Sequence, residues 1–450
     1  MLSRLAVGIG FLIGLIAFNI LLVARTPIER LAKSYVDTAF QLDQISSGEV
    51  DNYFGNYQPD EASGTSLEYI IRKADALKAE IDLAILENDD LRLASLREKV
   101  VYLSRVLGLL HANDSVSFAQ ELSSLFRIYI DELSPETELD NEGRVVSIEQ
   151  SLSPQEIAAS EAIVELNRIL PGQGSLPFRV SSFKSRFMVP VKKREQVFEA
   201  ALKACEENTK VNWELPLDAG IQLNWTREVS TPWHVYLGNG ASEILINPLA
   251  MSYMGVMVDV ACHEGYPGHH AQYVLIEQSL IELDDFSEEE RLMLLRTPRT
   301  AVLEGAADYG IGLTFPRDKR LALERDVLFP MAGLDTADIE KYLQVNHLVK
   351  VANNGVLRTI QAYADEMLPD IAAAVRLEND FLIASPRAFL NYVDRYGAYS
   401  AIYSIASSRI DSLVTAEIYS QTLAWDALNR IVVYLKEFPA EERTTTTPVN

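Results

Sequence analysis

Two cysteines, Cys205 and Cys262, are all that the 450-residue chain contains. That scarcity excludes a disulfide-dense scaffold and a thiolate zinc cluster. Cys262 reads as a small buried residue on a core helix, with a single Cys205–Cys262 disulfide as the alternative. Histidine is nearly as rare: His111, His234, His263, His269, His270 and His347 are the full set. Positive charge is in deficit, 40 Lys and Arg against 64 Asp and Glu, giving a formal net charge of −24. No cluster of Lys and Arg with interleaved aromatics breaks that balance, so nucleic acid is not an expected partner. With 48% apolar and 23% charged residues the chain has an ordinary globular composition, and its length suits a large catalytic body or two sub-domains.

One long charge-free run is present. Leu5 to Ala24 carries no charged residue, and its roughly 20 residues match what a helix needs to cross a bilayer. The run is long for a signal-peptide core and ends without a small-x-small cleavage site. The expectation is an uncleaved, single-pass transmembrane anchor over residues 1–30 that ties the protein to a cell membrane. Arg4 before the run and Arg25, Arg30 and Lys33 after it nearly balance. A short tail followed by a long folded remainder places the body in the periplasmic or extracellular space.

From about Ser66 to Leu133 apolar residues recur at three- and four-residue spacings, as in Leu93, Leu96, Val100, Leu103 and Leu107. This predicts a helical hairpin or bundle. The acidic, aperiodic stretch Ser134–Ser153 reads as a linker that closes a helical region over 31–155. The remainder, 156–450, is the expected catalytic region. It holds a predicted helix over Lys192–Asn208 and one clear strand-forming region between Val211 and Pro248, broken by Pro216, Gly220, Pro232 and Gly238-Asn-Gly240. Helical periodicity returns after Leu249, with long runs at Asp335–Ala373 and Tyr399–Leu435. The fold class expected is mainly α with a small β-sheet.

Three of the six histidines fall in one window, His263-Glu264-Gly265-Tyr266-Pro267-Gly268-His269-His270. Such clustering beside a glutamate points to a metal site. The zincin pattern H-E-x-x-H sets two imidazoles one helical turn apart, with Glu beside the attacking water; here the fifth position is Pro267. Proline removes a helical hydrogen bond and clashes with the preceding turn, so the helix must kink or loop out, with Gly268 easing the distortion. In an undistorted helix His263 and His270 would lie roughly 10.5 Å apart along the axis, too far to share one ion. A looped-out 266–268 closes that gap. Glu264 is the expected general base. Glu304, in the small, apolar run Thr300–Tyr309, is the expected acidic ligand, because a buried carboxylate needs a partner. Asp308, one turn on, is placed to hold a ligand imidazole.

The run Ala261-Cys-His-Glu-Gly-Tyr-Pro-Gly-His-His-Ala-Gln272 resembles the H-E-x-x-P-G-H-H signature of a zincin-like bacterial family, domain of unknown function 885. The similarity extends upstream through Pro232-Trp233, Gly238 and Ile244-Leu-Ile-Asn247-Pro248, and downstream to Leu303-Glu-Gly-Ala-Ala-Asp-Tyr309. It covers Leu170 to Gly312. The resemblance implies a zincin-like helical metallohydrolase with His263, the His269/His270 pair and Glu304 as ligands and Glu264 as base. Helical phase favours His270 as the second imidazole; the Gly-His pairing of related helical peptidases favours His269.

Zinc is the expected ion, although His and carboxylate ligands also suit manganese and iron. Tyr396 and Tyr399 are the candidate phenols for stabilising a developing oxyanion, against a simple packed aromatic face; His234 and His347 read as structural. The strand-forming run Val235–Ile246 is placed to offer an edge to an extended peptide. The function expected is a membrane-anchored zinc peptidase, acting on a peptide or small amide. A non-peptide amide or ester hydrolase and a non-catalytic metal-containing binding protein are the alternatives.

Overall fold

Helix caps, glycine turns and one buried central helix organise the chain. The computed structural model describes residues 27–58, 65–87, 90–111, 116–131, 133, 152–229, 231–283, 287–417, 421–435 and 437–439. The predicted span Leu5–Ala24 lies outside them, as does most of the predicted linker, and no described helix is long and apolar enough to cross a membrane. The described residues of Met1–His111 and Asp285–Leu295 form one compact unit, and those of Ala112–Asp284 and Arg296–Asn450 a second.

The first unit opens with α1 (Pro27–Ile45), strand β1 (Val50–Tyr53) and the helices α2 (Leu67–Glu87) and α3 (Leu91–His111). The last two form the expected hairpin, burying Ile70, Ala74, Leu77 and Ile81 of α2 and Leu96, Val100, Leu103 and Leu107 of α3. Residues 27–30, assigned above to the anchor, belong to α1.

In the second unit come α4 (Phe118–Phe126), α5 (Pro154–Ile169), α6 (Leu176–Ser185) and α7 (Arg194–Lys210). The unit boundary falls near residue 111, not at 155, because α4 buries its apolar face in this second unit. The Phe126 ring lies 6.2 Å from that of Tyr399, and Asp365 caps the Phe118 N–H at 2.7 Å. Ser153 and Glu156 start α5 with a reciprocal capping box. Strands β2 (Gly220–Trp225), β3 (Trp233–Gly238) and β4 (Ala241–Ile246) follow, then α8 (Met254–Glu264) and α9 (His269–Glu282). The sheet has the order β2-β4-β3, with β4 parallel to β2 and antiparallel to β3. The tight β3–β4 turn needs left-handed backbone at Gly238, Asn239 and Gly240, and a Cβ on Gly240 would sit 1.5 Å from the Leu217 carbonyl oxygen.

The chain then contributes β5 (Leu292–Leu294) to the first unit, antiparallel to β1 with Val50 opposite Leu294 and Tyr53 opposite Leu292. These short strands escaped the sequence reading because three or four residues carry no usable alternation. Back in the second unit, α10 (Pro298–Thr314) starts on Thr297, whose side chain accepts from the Thr300 N–H, with Pro298 at the first position. After it come α11 (Arg317–Leu323), α12 (Phe329–Ala332), α13 (Ile339–Asn353), α14 (Leu357–Ala364), α15 (Asp370–Asn379), α16 (Pro386–Tyr396), α17 (Ile402–Glu417) and α18 (Gln421–Tyr434). The predicted run Asp335–Ala373 is therefore divided among α13, α14 and α15, by a 3-10 turn at Asn354–Val356 and by Pro369 ahead of α15.

Cys205 on α7 and Cys262 on α8 form a disulfide with a Cα–Cα separation of 5.4 Å, both residues fully buried. This corrects the reading of Cys262 as a simple buried thiol. Pairing of α7 with α8 is a tertiary event across 57 residues of sequence.

The core of this unit is α10, almost wholly buried through Ala301, Val302, Leu303, Ala306 and Ala307. Small residues let α17 approach closely: a Cβ on Gly305 would lie 2.7 Å from the backbone of Ala406. Gly305→Ala is expected to cost about 1–3 kcal/mol by forcing α10 and α17 apart. A denaturant titration showing no loss would contradict this packing.

Candidate metal centre

The metal window is two helices, not one. α8 ends at Glu264, and the chain crosses Gly265, a cis Tyr266–Pro267 peptide and Gly268 before α9 begins at His269. Across the break the Gly268 N–H reaches the Cys262 carbonyl and the Ala271 N–H the Gly265 carbonyl, both at 3.1 Å. Glycine is obligatory at 268, where a Cβ would lie 1.7 Å from the His263 carbonyl oxygen. Gly310 of α10 makes room for the same link, since its Cβ would come within 2.5 Å of the Pro267 ring.

The break brings His269 beside His263, with ring centroids 4.7 Å apart and nearly perpendicular. Glu304, on the facing turn of α10, completes the group: its Oε2 lies 3.2 Å from His263 Nε2 and 3.7 Å from His269 Nε2. One ligand atom from each of these three residues falls within 4.8 Å of the others. Both imidazoles are turned so that Nε2 faces the carboxylate. His263 Nδ1 is 3.1 Å from Asp308 Oδ1, and His269 Nδ1 is 3.3 Å from Gln272 Oε1, while the Gln272 amide donates to the Leu303 carbonyl at 3.0 Å. Acceptors on both Nδ1 atoms leave the Nε2 lone pairs for a cation.

Sequence reasoning left the second imidazole open between His269 and His270. His270 points elsewhere: its Nε2 is 3.0 Å from Asp218 and its Nδ1 2.7 Å from Ser242 Oγ. The phase argument for His270 assumed a bridged continuous helix, whereas α9 restarts at His269. Gln272 was not anticipated, although its place three residues after His269 is the signal that would have found it.

The donor set fits a divalent cation. Glu304 is 6% exposed, and its Oε2, 3.2 and 3.7 Å from the two imidazole Nε2 atoms, makes no hydrogen bond among the described residues. A buried carboxylate oxygen without a hydrogen bond is costly unless a cation meets it. Two imidazoles and one carboxylate are also the protein ligands of a catalytic zinc site with open positions. Burial alone would raise the Glu304 carboxyl, but His269 and His263 outweigh it and hold the group well below the usual carboxylate range. Burial would likewise depress His263, and Asp308 and Glu304 reverse that and pull its imidazole well upward. The pocket therefore attracts positive charge.

Glu264 closes α8, is half-buried, and makes no hydrogen bond or ion pair among the described residues. Burial raises its carboxyl against the opposing pull of His263 and His269. Of the candidate phenols, Tyr399 donates to Glu304 Oε1 at 2.8 Å and so supports the ligand carboxylate. Tyr396 does not reach the group: its ring packs 4.6 Å from Tyr392 and 6.1 Å from Tyr399. The phenol at the centre is instead Tyr403, whose hydroxyl lies 3.2 Å from that of Tyr399 and 3.5 Å from Glu304 Oε1, and whose ring is 6.4 Å from that of His263. The residue is 41% exposed, but desolvation of the phenol and the Glu304 charge push it well above its ordinary range. It stays a donor at neutral pH.

Compared with protein-family models, with curated proteins and with solved structures, the chain has no significant match.

His269→Ala is expected to abolish binding of zinc to the purified protein, while His270→Ala retains it near one ion per chain. Elemental analysis after dialysis decides between them, and equal loss in both variants would contradict the assignment of His269.

Proposed function

We propose that this chain is a metal-dependent hydrolase of amide bonds, a zinc peptidase, with His263, His269 and Glu304 as the protein ligands. The observation that carries the reading is the buried Glu304 Oε2, without a hydrogen bond among the described residues, facing two oriented Nε2 atoms at 3.2 and 3.7 Å beside Glu264, which likewise makes none there. The resemblance of 261–272 to the zincin-like H-E-x-x-P-G-H-H signature supports it. When bound, the ion supplies Lewis acidity that polarises the scissile carbonyl and makes water more acidic.

The chain's own groups do the rest. Glu264 accepts a proton from the attacking water as the C–O bond forms. It returns that proton to the departing nitrogen as the C–N bond breaks, so that water adds across the amide with no net proton uptake. Its raised carboxyl suits both directions of transfer. Tyr403 offers its hydroxyl to the carbonyl oxygen as negative charge develops there. Tyr399 and Asp308 keep Glu304 and His263 in place.

The apolar run Leu5–Ala24 is assigned to a membrane anchor. The Cys205–Cys262 disulfide favours a body on the oxidising side of that membrane, because such bonds persist in extracytoplasmic compartments.

Full-length protein in detergent, loaded with one equivalent of zinc, is expected to cleave members of a peptide library. Glu264→Gln should keep the metal and lose about 10²–10⁴-fold in kcat. Tyr403→Phe should lose about 10²–10³-fold, and Tyr396→Phe should change little. Zinc bound with no cleavage of any peptide, amide or ester would overturn the catalytic reading in favour of a metal-containing binding protein; cleavage of small amides or esters alone would replace peptidase by a narrower hydrolase.

A further inference from the structure

Beside the ligand group lies a second buried polar cluster for which the hydrolysis above has no use. Asp218, in the turn before β2, has a side chain only 2% exposed and receives Lys210 Nζ at 2.6 Å, the Tyr266 hydroxyl at 2.9 and 3.0 Å, and His270 Nε2 at 3.0 Å. From the other side of the His270 ring, Nδ1 lies 2.7 Å from Ser242 Oγ on β4, and that oxygen lies 2.9 Å from His234 Nε2 on β3. A continuous line of hydrogen bonds thus runs from α7 through the α8–α9 link to the edge strand of the sheet. It ends at His234.

The His234 ring is held on three counts. Its Nε2 is tied to Ser242, its face stacks on Tyr273 at 5.7 Å and 14°, and its centroid lies 5.9 Å from that of His269. Its Nδ1 makes no hydrogen bond among the described residues, and the residue as a whole is 8% exposed. So one nitrogen is committed to a buried scaffold and the other is left uncommitted, next to a metal ligand. A merely structural histidine in so buried a place would have both nitrogens satisfied.

We infer that His234 Nδ1 is a substrate contact that hydrogen-bonds the amide group undergoing cleavage, on the His269 side of the centre as Tyr403 is on the His263 side, and that Asp218, His270 and Ser242 are the positioning residues that fix its ring. The inference rests on the hydrolase reading above. It assigns the second histidine of the Gly-His-His run to holding the substrate contact instead of the metal. It also gives the site polar contacts on two flanks, which suits an amide within an extended chain better than a compact ester.

The test uses the full-length, zinc-loaded protein. His234→Phe keeps a flat ring against Tyr273 and removes the nitrogen; it should lower kcat about 10²-fold, leave KM within about twofold and bind zinc normally. It should also weaken binding of a peptide phosphonate, which mimics the tetrahedral geometry, by a similar factor in calorimetry. His234→Gln should restore part of both losses. Ser242→Ala should give a smaller kcat loss with full metal content. Wild-type turnover and phosphonate affinity in His234→Phe would overturn the inference, as would loss of metal in that variant, which would make the residue structural. If neither wild type nor any variant cleaves a substrate, the hydrolase reading fails on its own. The phosphonate comparison between wild type and His234→Phe still decides whether His234 is a contact.

Discussion

An ionised carboxylate in the interior of a helix loses its hydration, and every element around Glu304 is arranged to compensate that loss. Its immediate neighbours on α10, Ala301 to Leu303 and Gly305 to Ala307, are small or apolar and buried. Partial compensation comes from outside the helix: Tyr399 donates to one oxygen, and the imidazoles of His263 and His269 face the other at 3.2 and 3.7 Å without a hydrogen bond. Removing one partner from such a buried charged group costs several kcal/mol, more than most surface interactions in a protein contribute. The constraint then propagates. His263 must be turned by Asp308, His269 by Gln272, and α8 must break so that His269 can arrive at all.

The break explains why two adjacent histidines serve different ends. Successive residues on a helix project about 100° apart, so when His269 faces Glu304, His270 must face away. It meets β4 and the turn before β2. A single dipeptide therefore anchors the centre to the central helix on one side and to the sheet on the other. The disulfide adds a third tie, joining α8 to α7 one residue before His263.

Much of this was legible in the sequence where chemistry is carried by residue type, and illegible where it depends on backbone phase. The histidine cluster, Glu264, and Glu304 with Asp308 one turn on stood out because scarce or charged residues sat in apolar surroundings. The choice between His269 and His270 did not, because it depends on where a helix restarts after Gly268. Tyr403 was passed over for Tyr396 for the same reason: Gly397, at φ 54°, ends α16, and the 3-10 turn Gly397–Ala401 shifts the angular phase before α17 begins. The pairing of Cys205 with Cys262 and of β1 with β5 are tertiary events that no local pattern encodes.

The path of the chain through β5 bears on how the protein can be taken apart. The first unit draws one of its two strands from residues 292–294, some 180 positions after α3 ends at His111. A cut after His111 would separate β1 from its partner and leave Leu292, Met293 and Leu294, all buried in the intact chain, as an apolar ribbon on the other fragment. The first unit is discontinuous in sequence, so limited proteolysis or gene truncation after His111 divides its two-stranded sheet instead of releasing an intact module.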